Sequence, residues 1–151
     1  MTDDAPGRLW FDRFHQAFLD GDLGVIWELQ TAASRALTLE RMAEALSRVA
    51  ADRDYRRLLK DRMGTDIHGM EPKAAWEAFT GASCRHMAAG DVRWTFAGEE
   101  REGDRVVVRI AAGGRALPAG FDGSMEQVLV LEGGEWRLDK QATEEDRPRT
   151  P

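Results

Sequence analysis

The chain has 151 residues, of which 42% are hydrophobic and five are tryptophan, so it is long and apolar enough for one domain with its own core. Its formal net charge of -6 disfavours nucleic acid and anionic lipid surfaces as partners. The single cysteine, Cys84, excludes an intrachain disulfide and any zinc site that needs several cysteines.

The sequence shows no targeting or membrane segment. The acidic first residues have no apolar run behind them, so we identify no signal peptide, and no segment approaches the ~18 apolar residues of a membrane span. We therefore expect a cytoplasmic protein without membrane contact. Abundant alanine, glycine and arginine indicate a GC-rich, bacterial genome. The domain is predicted to span residues 8–142, with flexible tails at 1–7 and 143–151.

The first half of the chain follows helical periodicity. Apolar side chains recur at helical spacing over residues 8–20. Gly21 suits the left-handed turn that ends such a helix, and Asp22 suits the cap of the next one. Thr38 is the predicted cap of a third helix, which extends to residue 63 with an expected break near Asp52.

A fourth helix, predicted to begin at Pro72 and to end at Gly90, precedes a set of strands. Glycine-bearing turns at 102–104 and 133–134 join these strands into an antiparallel meander, and the link 113–123 is predicted to be a mobile loop. Helices followed by a meander predict an α+β fold, with the helices packed on one face of the sheet. Three segments show the alternation of apolar residues that marks a strand: residues 92–96, 105–111 and 125–131.

Two stretches of the chain resemble the nuclear transport factor 2-like superfamily. One runs from Phe11 to Asp22 and is followed by Trp27; the other is the glycine-X-tryptophan strand from Gly134 to Asp139. The resemblance implies a curved antiparallel sheet wrapped into a cone-shaped barrel, with a pocket closed by helices and a dimer formed through the sheet. Because that superfamily includes isomerases, cyclases, dehydratases and ligand-binding modules, the resemblance does not fix an activity.

Aromatic side chains from the helices and the first strand converge on the predicted cone. They line a hydrophobic cavity for a small apolar ligand if the cone is open, and they form the core if it is filled. The sequence leaves both interpretations open. The predicted pocket-lining residues are Trp10, Phe14, Trp27, Trp76, Phe79, Trp94 and Phe96.

His86 is the strongest single candidate for catalysis. It follows Phe79 and Ser83 at helical spacing, so it can face the sheet and act as a general base. The interpretation we favour is plainer: a histidine near a helix C-terminus interacts with the free carbonyl groups there. His15 and Asp122 are weaker candidates for the same cavity.

Two further charged groups are better explained as solvated surface than as sites. Asp66, His68 and Glu71 lack the spacing of a metal site, so no metal and no cofactor are predicted. The basic stripe within residues 53–60 is diluted by aspartates, which argues against a nucleic-acid site.

The strands carry apolar residues on both faces. Val106, Val107 and Val108 are consecutive, so a lone chain would expose an apolar patch on the face that the helices do not cover. A second copy packed sheet to sheet about a two-fold axis would cover it. The predicted dimer-interface residues are Val107, Arg109, Val128, Val130 and Arg137.

These patterns predict a small soluble binding or association module with an apolar pocket, forming a homodimer and needing no cofactor. The alternative is a small cofactor-independent enzyme of the isomerase or cyclase kind that uses His86 in the cone pocket. The two differ in one observable feature, because an enzyme pocket brings ionisable groups together and a binding cavity does not.

Overall fold

The structure is a computed structural model, and it describes residues 5–114 and 124–140. In that part of the chain the helices come first and the strands follow, as the sequence pattern predicts. The helices are α1 (Pro6–Asp20), α2 (Leu23–Glu28), α3 (Ala32–Ala51), α4 (Arg53–Met63) and α5 (Pro72–Ala88). The strands are β1 (Arg93–Glu102), β2 (Arg105–Gly113), β3 (Ser124–Glu132) and β4 (Glu135–Leu138).

The four described strands form one antiparallel sheet in the order β1-β2-β3-β4, with each strand paired to its chain neighbour. Helices pack against one face of it, where Val106, Val108, Ile110 and Leu129 join the aromatic side of α1 in the main core. The predicted α+β arrangement is therefore confirmed. The sheet is not closed among these residues, since β1 and β4 are its two edges. The cone-shaped barrel stays a prediction.

Most helix ends follow the local signals in the sequence. Gly21 takes a left-handed conformation (φ 71°) after α1, and the Asp22 carboxylate accepts a hydrogen bond from a backbone N–H of α2. Asp52 ends α3 and caps α4, and Pro72 lies in the first turn of α5. No helix in the described part of the chain combines the length and the apolar character that a membrane crossing requires.

The predicted start of α3 at Thr38 is wrong. The cap is Thr31, whose hydroxyl accepts a hydrogen bond from the Ser34 backbone N–H at 3.0 Å. Thr38 is buried within the helix, with its hydroxyl 3.4 Å from the side-chain oxygen of Gln30. The helix begins seven residues earlier than predicted because the chain before it is held by the sheet.

The contact between residues 29–34 and residues 138–140 is a hydrogen-bonded seam. The Leu138 backbone N–H donates to the Leu29 carbonyl at 2.8 Å, and the Leu138 carbonyl accepts from the Thr31 N–H at 3.0 Å. The buried Ser34 hydroxyl donates to that carbonyl at 2.9 Å and accepts from the Lys140 N–H at 2.7 Å. This seam fixes the start of α3 against the end of β4.

A β-bulge in β1 turns a carboxylate toward the helices. The register with β2 shifts between Phe96 and Gly98, and Gly98 has a φ of 145° that an L side chain rarely adopts. Glu99 therefore faces α1, where its carboxylate accepts from the backbone N–H groups of Gly7 at 3.1 Å and Arg8 at 2.8 Å. Glu99 supplies the cap that Ala5 lacks.

The packed domain begins before residue 8, where the sequence pattern places its start. The helix α1 begins at Pro6, and Gly7 is buried so close to β2 that an added Cβ would lie 2.8 Å from Val108 Cγ2. Residues 6 and 7 are therefore part of the packed domain. The predicted tail 143–151 and most of the predicted loop 113–123 lie outside the described residues.

A second apolar core joins α3, α4 and α5, centred on Val49, Leu59 and Ala75. The Arg56 guanidinium ties this unit together by a bidentate contact with the Asp66 carboxylate, with a shortest distance of 2.7 Å. This hydrogen bond, together with that of the His68 backbone N–H, lowers the pKa of Asp66 to about 2.

Glu99→Gln tests the capping role of Glu99. The amide keeps one oxygen but loses the charge at the helix N-terminus, so we expect a loss of about 1 kcal/mol in the free energy of unfolding. Urea denaturation measures the change. Glu100→Gln is the matched control, because the Glu100 side chain is exposed and pairs with Arg109 at 3.5 Å on the outer face, so its effect should stay within ~0.5 kcal/mol. Equal losses in the two variants would contradict the capping role.

Asp66→Asn tests the link between α4 and the loop before α5. Because the folded pKa of Asp66 lies below its unfolded value, its stabilising contribution is present above about pH 4 and is lost as the pH falls toward 2. The variant should therefore unfold with a shallower dependence on pH in this window. Urea midpoints between pH 2 and pH 6 measure it, with Asp61→Asn, an exposed aspartate of α4, as the control. An unchanged slope in Asp66→Asn would exclude the ion pair as a source of acid sensitivity.

Candidate functional site

A partly enclosed cavity of about 270 Å³ lies between α1, α2, α5 and the inner face of the sheet. Its wall combines aromatic and aliphatic side chains with a few polar ones. The described residues that line it are Phe14, Phe18, Ile26, Gln30, Trp76, Thr80, Trp94, Ile110, Met125, Gln127, Leu138 and Lys140.

One side of the cavity is an aromatic wall built by α1 and β1. Phe14 and Phe18 are four residues apart, so both point to the same side of the helix. The Phe14 ring lies parallel to the Trp94 indole, with centroids 5.6 Å apart and planes 4° from parallel. Phe18 meets Trp94 edge to face at 4.8 Å. These pairs hold the rings in fixed orientations, which makes the wall a rigid surface for a flat molecule.

Across from this wall, Trp76 of α5 completes the aromatic lining. Its indole is buried and is packed edge to face against Trp27 at 4.7 Å. Phe14, Trp76 and Trp94 are thus the predicted lining residues that the fold brings together at the cavity. Trp27 stands behind Trp76, and the Lys73 ammonium lies 4.8 Å from its ring centroid.

The remaining predicted lining residues lie elsewhere. Trp10 belongs to the main core, where its indole N–H donates to the Leu29 carbonyl at 3.2 Å. Phe96 packs on Phe11 at 5.8 Å, toward the start of α1. Phe79 joins the second core. The aromatic set is therefore divided between an open cavity and a filled core, the two alternatives that the sequence leaves open.

The polar part of the lining consists of Gln30, Thr80, Gln127 and Lys140. Sequence analysis misses all four as site residues. Gln127 does carry a visible signal, because it occupies an inward position of β3 where Met125 and the other inward residues are apolar. Thr80 follows Trp76 by four residues on α5, and nothing in the local sequence marks Gln30.

The cavity does not bring acid and base groups together. Among the described residues that line it, Lys140 is the sole one with an ionisable side chain. General acid–base catalysis needs a titratable group within hydrogen-bond reach of the reacting atoms, and a catalytic pair needs two. The described lining supplies no such pair.

His86 and His15 are not among the residues that line the cavity, although the His15 ring lies 6.3 Å from the Trp94 indole. The His86 side chain is exposed at the C-terminal end of α5, with Nδ1 3.4 Å from an Asp91 carboxylate oxygen. His15 is half-buried beside the Phe11 ring, 5.3 Å away, and burial lowers its pKa although Asp12 opposes this shift. Asp122 lies outside the described residues.

The acidic loop before α5 is used for structure. The Asp66 carboxylate is occupied by Arg56 and by the His68 backbone N–H, so it is not free to join His68 and Glu71 as a ligand. In the described ranges, no group of three or more histidine, cysteine, aspartate or glutamate residues is arranged to hold a metal ion.

The outer face of the sheet is the predicted dimer interface, but it is not the exposed apolar patch that the sequence pattern indicates. Val107 and Val128 lie opposite each other and are only 8% and 1% exposed in the single chain. Val130 is half-buried between its cross-strand neighbours Arg105 and Arg137, whose Nε atoms are buried. The side chains of Arg105 and Arg137 are therefore partly buried at this face. The prediction of an exposed patch is wrong at both buried valines.

Comparison of the chain with protein-family models, with curated proteins and with solved structures finds no match. The chemistry of the cavity is therefore the basis on which a function can be inferred.

Trp94→Ala and Trp10→Ala should separate the cavity wall from the core. Trp10 is fully surrounded, so its truncation is expected to cost ~3–5 kcal/mol in the free energy of unfolding. Trp94 is half-buried and borders existing empty space, so its truncation should cost clearly less, about 1–2 kcal/mol. Urea denaturation of both variants gives the comparison. Equal costs would mean that Trp94 is core and that the cavity is closed in solution.

Proposed function

We propose that this protein is a small binding module that holds a flat, largely apolar molecule in the cavity between its helices and its sheet. The observation that carries this proposal is the lining itself: a fixed aromatic wall, a short polar part and one ionisable side chain among the described residues. A few polar groups in an otherwise apolar pocket are typical of small-molecule sites. The absence of paired titratable groups from the described lining favours binding over acid–base catalysis.

The size of the cavity supports a ligand of about two fused rings. An engineered apolar cavity of about 150 Å³ is large enough to bind benzene. The cavity here has about 270 Å³, which is nearly twice as much. Because Phe14 is stacked on Trp10 as well as on Trp94, it is held rigidly and offers its ring edge to a planar guest beside the Trp94 indole.

The proposal includes membership of the nuclear transport factor 2-like superfamily and its cone-shaped fold. What supports it is the order of the elements, with helices first and an antiparallel meander last, and the cavity between them. The glycine-X-tryptophan strand of the resemblance is β4, which ends at the seam and contributes Leu138 to the lining.

Binding of naphthalene tests the proposal directly. We expect saturable changes in the indole N–H signals of Trp76 and Trp94 in two-dimensional NMR spectra of the labelled protein. Met125→Trp replaces a slim side chain by a much larger indole that occupies part of the cavity, and it should weaken binding at least ~10-fold while the fold is kept. Thr95→Trp adds the same indole at an exposed position of β1 and should leave binding unchanged. The proposal fails if the wild type shows no saturable change.

The second part of the proposal is a homodimer formed through the outer face of the sheet. Charge complementarity between two copies supports it, rather than an exposed apolar patch. The outer face carries pairs of opposite sign, with Arg109 3.5 Å from Glu100 and Arg137 3.2 Å from Glu135. A copy related by a two-fold axis can place such alternating charges opposite their complements, around the half-buried Val130.

Light scattering at tens of micromolar protein tests this homodimer. Val130→Arg should convert a dimer into a monomer, because it adds a charge between two arginines at the centre of the interface. Val128→Asp is unsuitable, since Val128 is buried within the chain. Leu58→Arg, at an exposed position of α4, is the matched control and should stay dimeric. A monomeric wild type, or a Val130→Arg variant that remains dimeric, would refute this interface.

A further inference from the structure

The Gln127 side chain is a polar group on the core face of the sheet. It lies opposite Val108 and between the inward positions Met125 and Leu129, so its surroundings on the sheet are apolar. It lines the cavity, and its carboxamide makes no hydrogen bond with any residue in the part of the chain that the structure describes. A carboxamide in such a place keeps one donor and one acceptor function available to the cavity.

Thr80 faces the same cavity from α5. Threonine and serine hydroxyls within helices often bond to the carbonyl four residues earlier, as Ser83 does with Phe79 at 3.4 Å. The described structure contains no such bond for Thr80, although the residue is buried. Its hydroxyl is thus a second polar group directed by the fold to the cavity lining.

Gln30, the third uncharged polar residue of the lining, is already engaged. Its amide nitrogen lies 3.5 Å from the Ile26 carbonyl, and its amide oxygen lies 3.4 Å from the Thr38 hydroxyl. Gln30 is therefore part of the framework. Gln127 and Thr80 are therefore the uncharged polar residues of the described lining that can form hydrogen bonds with a ligand.

Resting on the proposed function, we infer that the ligand is an uncharged, planar, two-ring molecule that carries a lactam or cis-amide edge. Such an edge has an N–H and a C=O side by side, which matches the acceptor and the donor of the Gln127 carboxamide in a bidentate pair. Thr80 supplies one further hydrogen bond, and the rings of Phe14 and Trp94 take the apolar part. The described lining contains no carboxylate to balance a cationic ligand.

A matched pair of probes tests this inference. Quinolin-2(1H)-one presents the lactam edge, and its N-methyl derivative has the same rings without the donor. We expect the lactam to bind the wild type at least ~10-fold more tightly in NMR or calorimetric titrations, because a site built for a hydrogen bond rejects an analogue that cannot form it. Naphthalene reports on the apolar cavity alone, and quinoline-2-carboxylate reports on charge recognition through Lys140.

Two variants identify the side chains that recognise the lactam edge. Gln127→Leu should abolish the discrimination between the two quinolinones while naphthalene still binds, which also shows that the variant is folded. Thr80→Val, nearly the same shape as threonine, should weaken binding of the lactam about 3-fold while naphthalene binds as before, and it keeps the test valid should Gln127→Leu fail to fold.

The outcomes separate the two proposals. Equal binding of lactam and N-methyl probes, a preference that survives in Gln127→Leu, or lactam binding that is unchanged in Thr80→Val overturns the lactam inference and leaves the binding module intact. Tighter binding of the carboxylate than of the lactam overturns it in favour of an acidic ligand. If no probe binds, naphthalene included, the proposed function itself is overturned.

Discussion

The seam between residues 29–34 and residues 138–140 is the constraint on which the arrangement of helices and sheet depends. Two backbone hydrogen bonds of Leu138, one with Leu29 and one with Thr31, attach the segment between α2 and α3 to β4. The buried Ser34 hydroxyl extends this link by bonding to both the Leu138 carbonyl and the Lys140 N–H. Buried polar groups are costly unless they are paired, so such a network specifies one geometry. Gln30, Leu138 and Lys140 then reach the cavity directly from the seam.

Local signals in the sequence predict what local interactions determine. Gly21, Asp22 and Asp52 mark helix ends because a left-handed turn or a cap involves only the adjacent residues. The start of α3 cannot be predicted in this way, since it depends on a bond to a strand more than a hundred residues later. Glu99 illustrates the same limit, because its role at the start of α1 exists only after a bulge has changed which way it faces.

The candidate site is likewise only partly predictable from local signals in the sequence. The aromatic wall is partly predictable, since helical and strand periodicity place Phe14 and Trp94 on inward faces. Whether an inward aromatic residue borders empty space or fills a core is decided by the distance between the helices and the sheet, which the sequence does not display. The single polar residue in an inward series, Gln127, is a signal that periodicity reveals. Its meaning becomes clear only when the space in front of it is seen to be open.

The cavity also has a volumetric consequence. Space that neither protein atoms nor water fill disappears when a chain unfolds, so unfolding decreases the volume of the system and pressure favours it. The cavity of about 270 Å³ is partly open and carries polar groups, so the part of it that water leaves unfilled makes the protein more compressible near Trp94 than around the filled core at Trp10. A guest that occupies the cavity removes this difference. Hydrostatic pressure is therefore a variable to which the empty and the occupied protein would respond unequally, even where heat affects them alike.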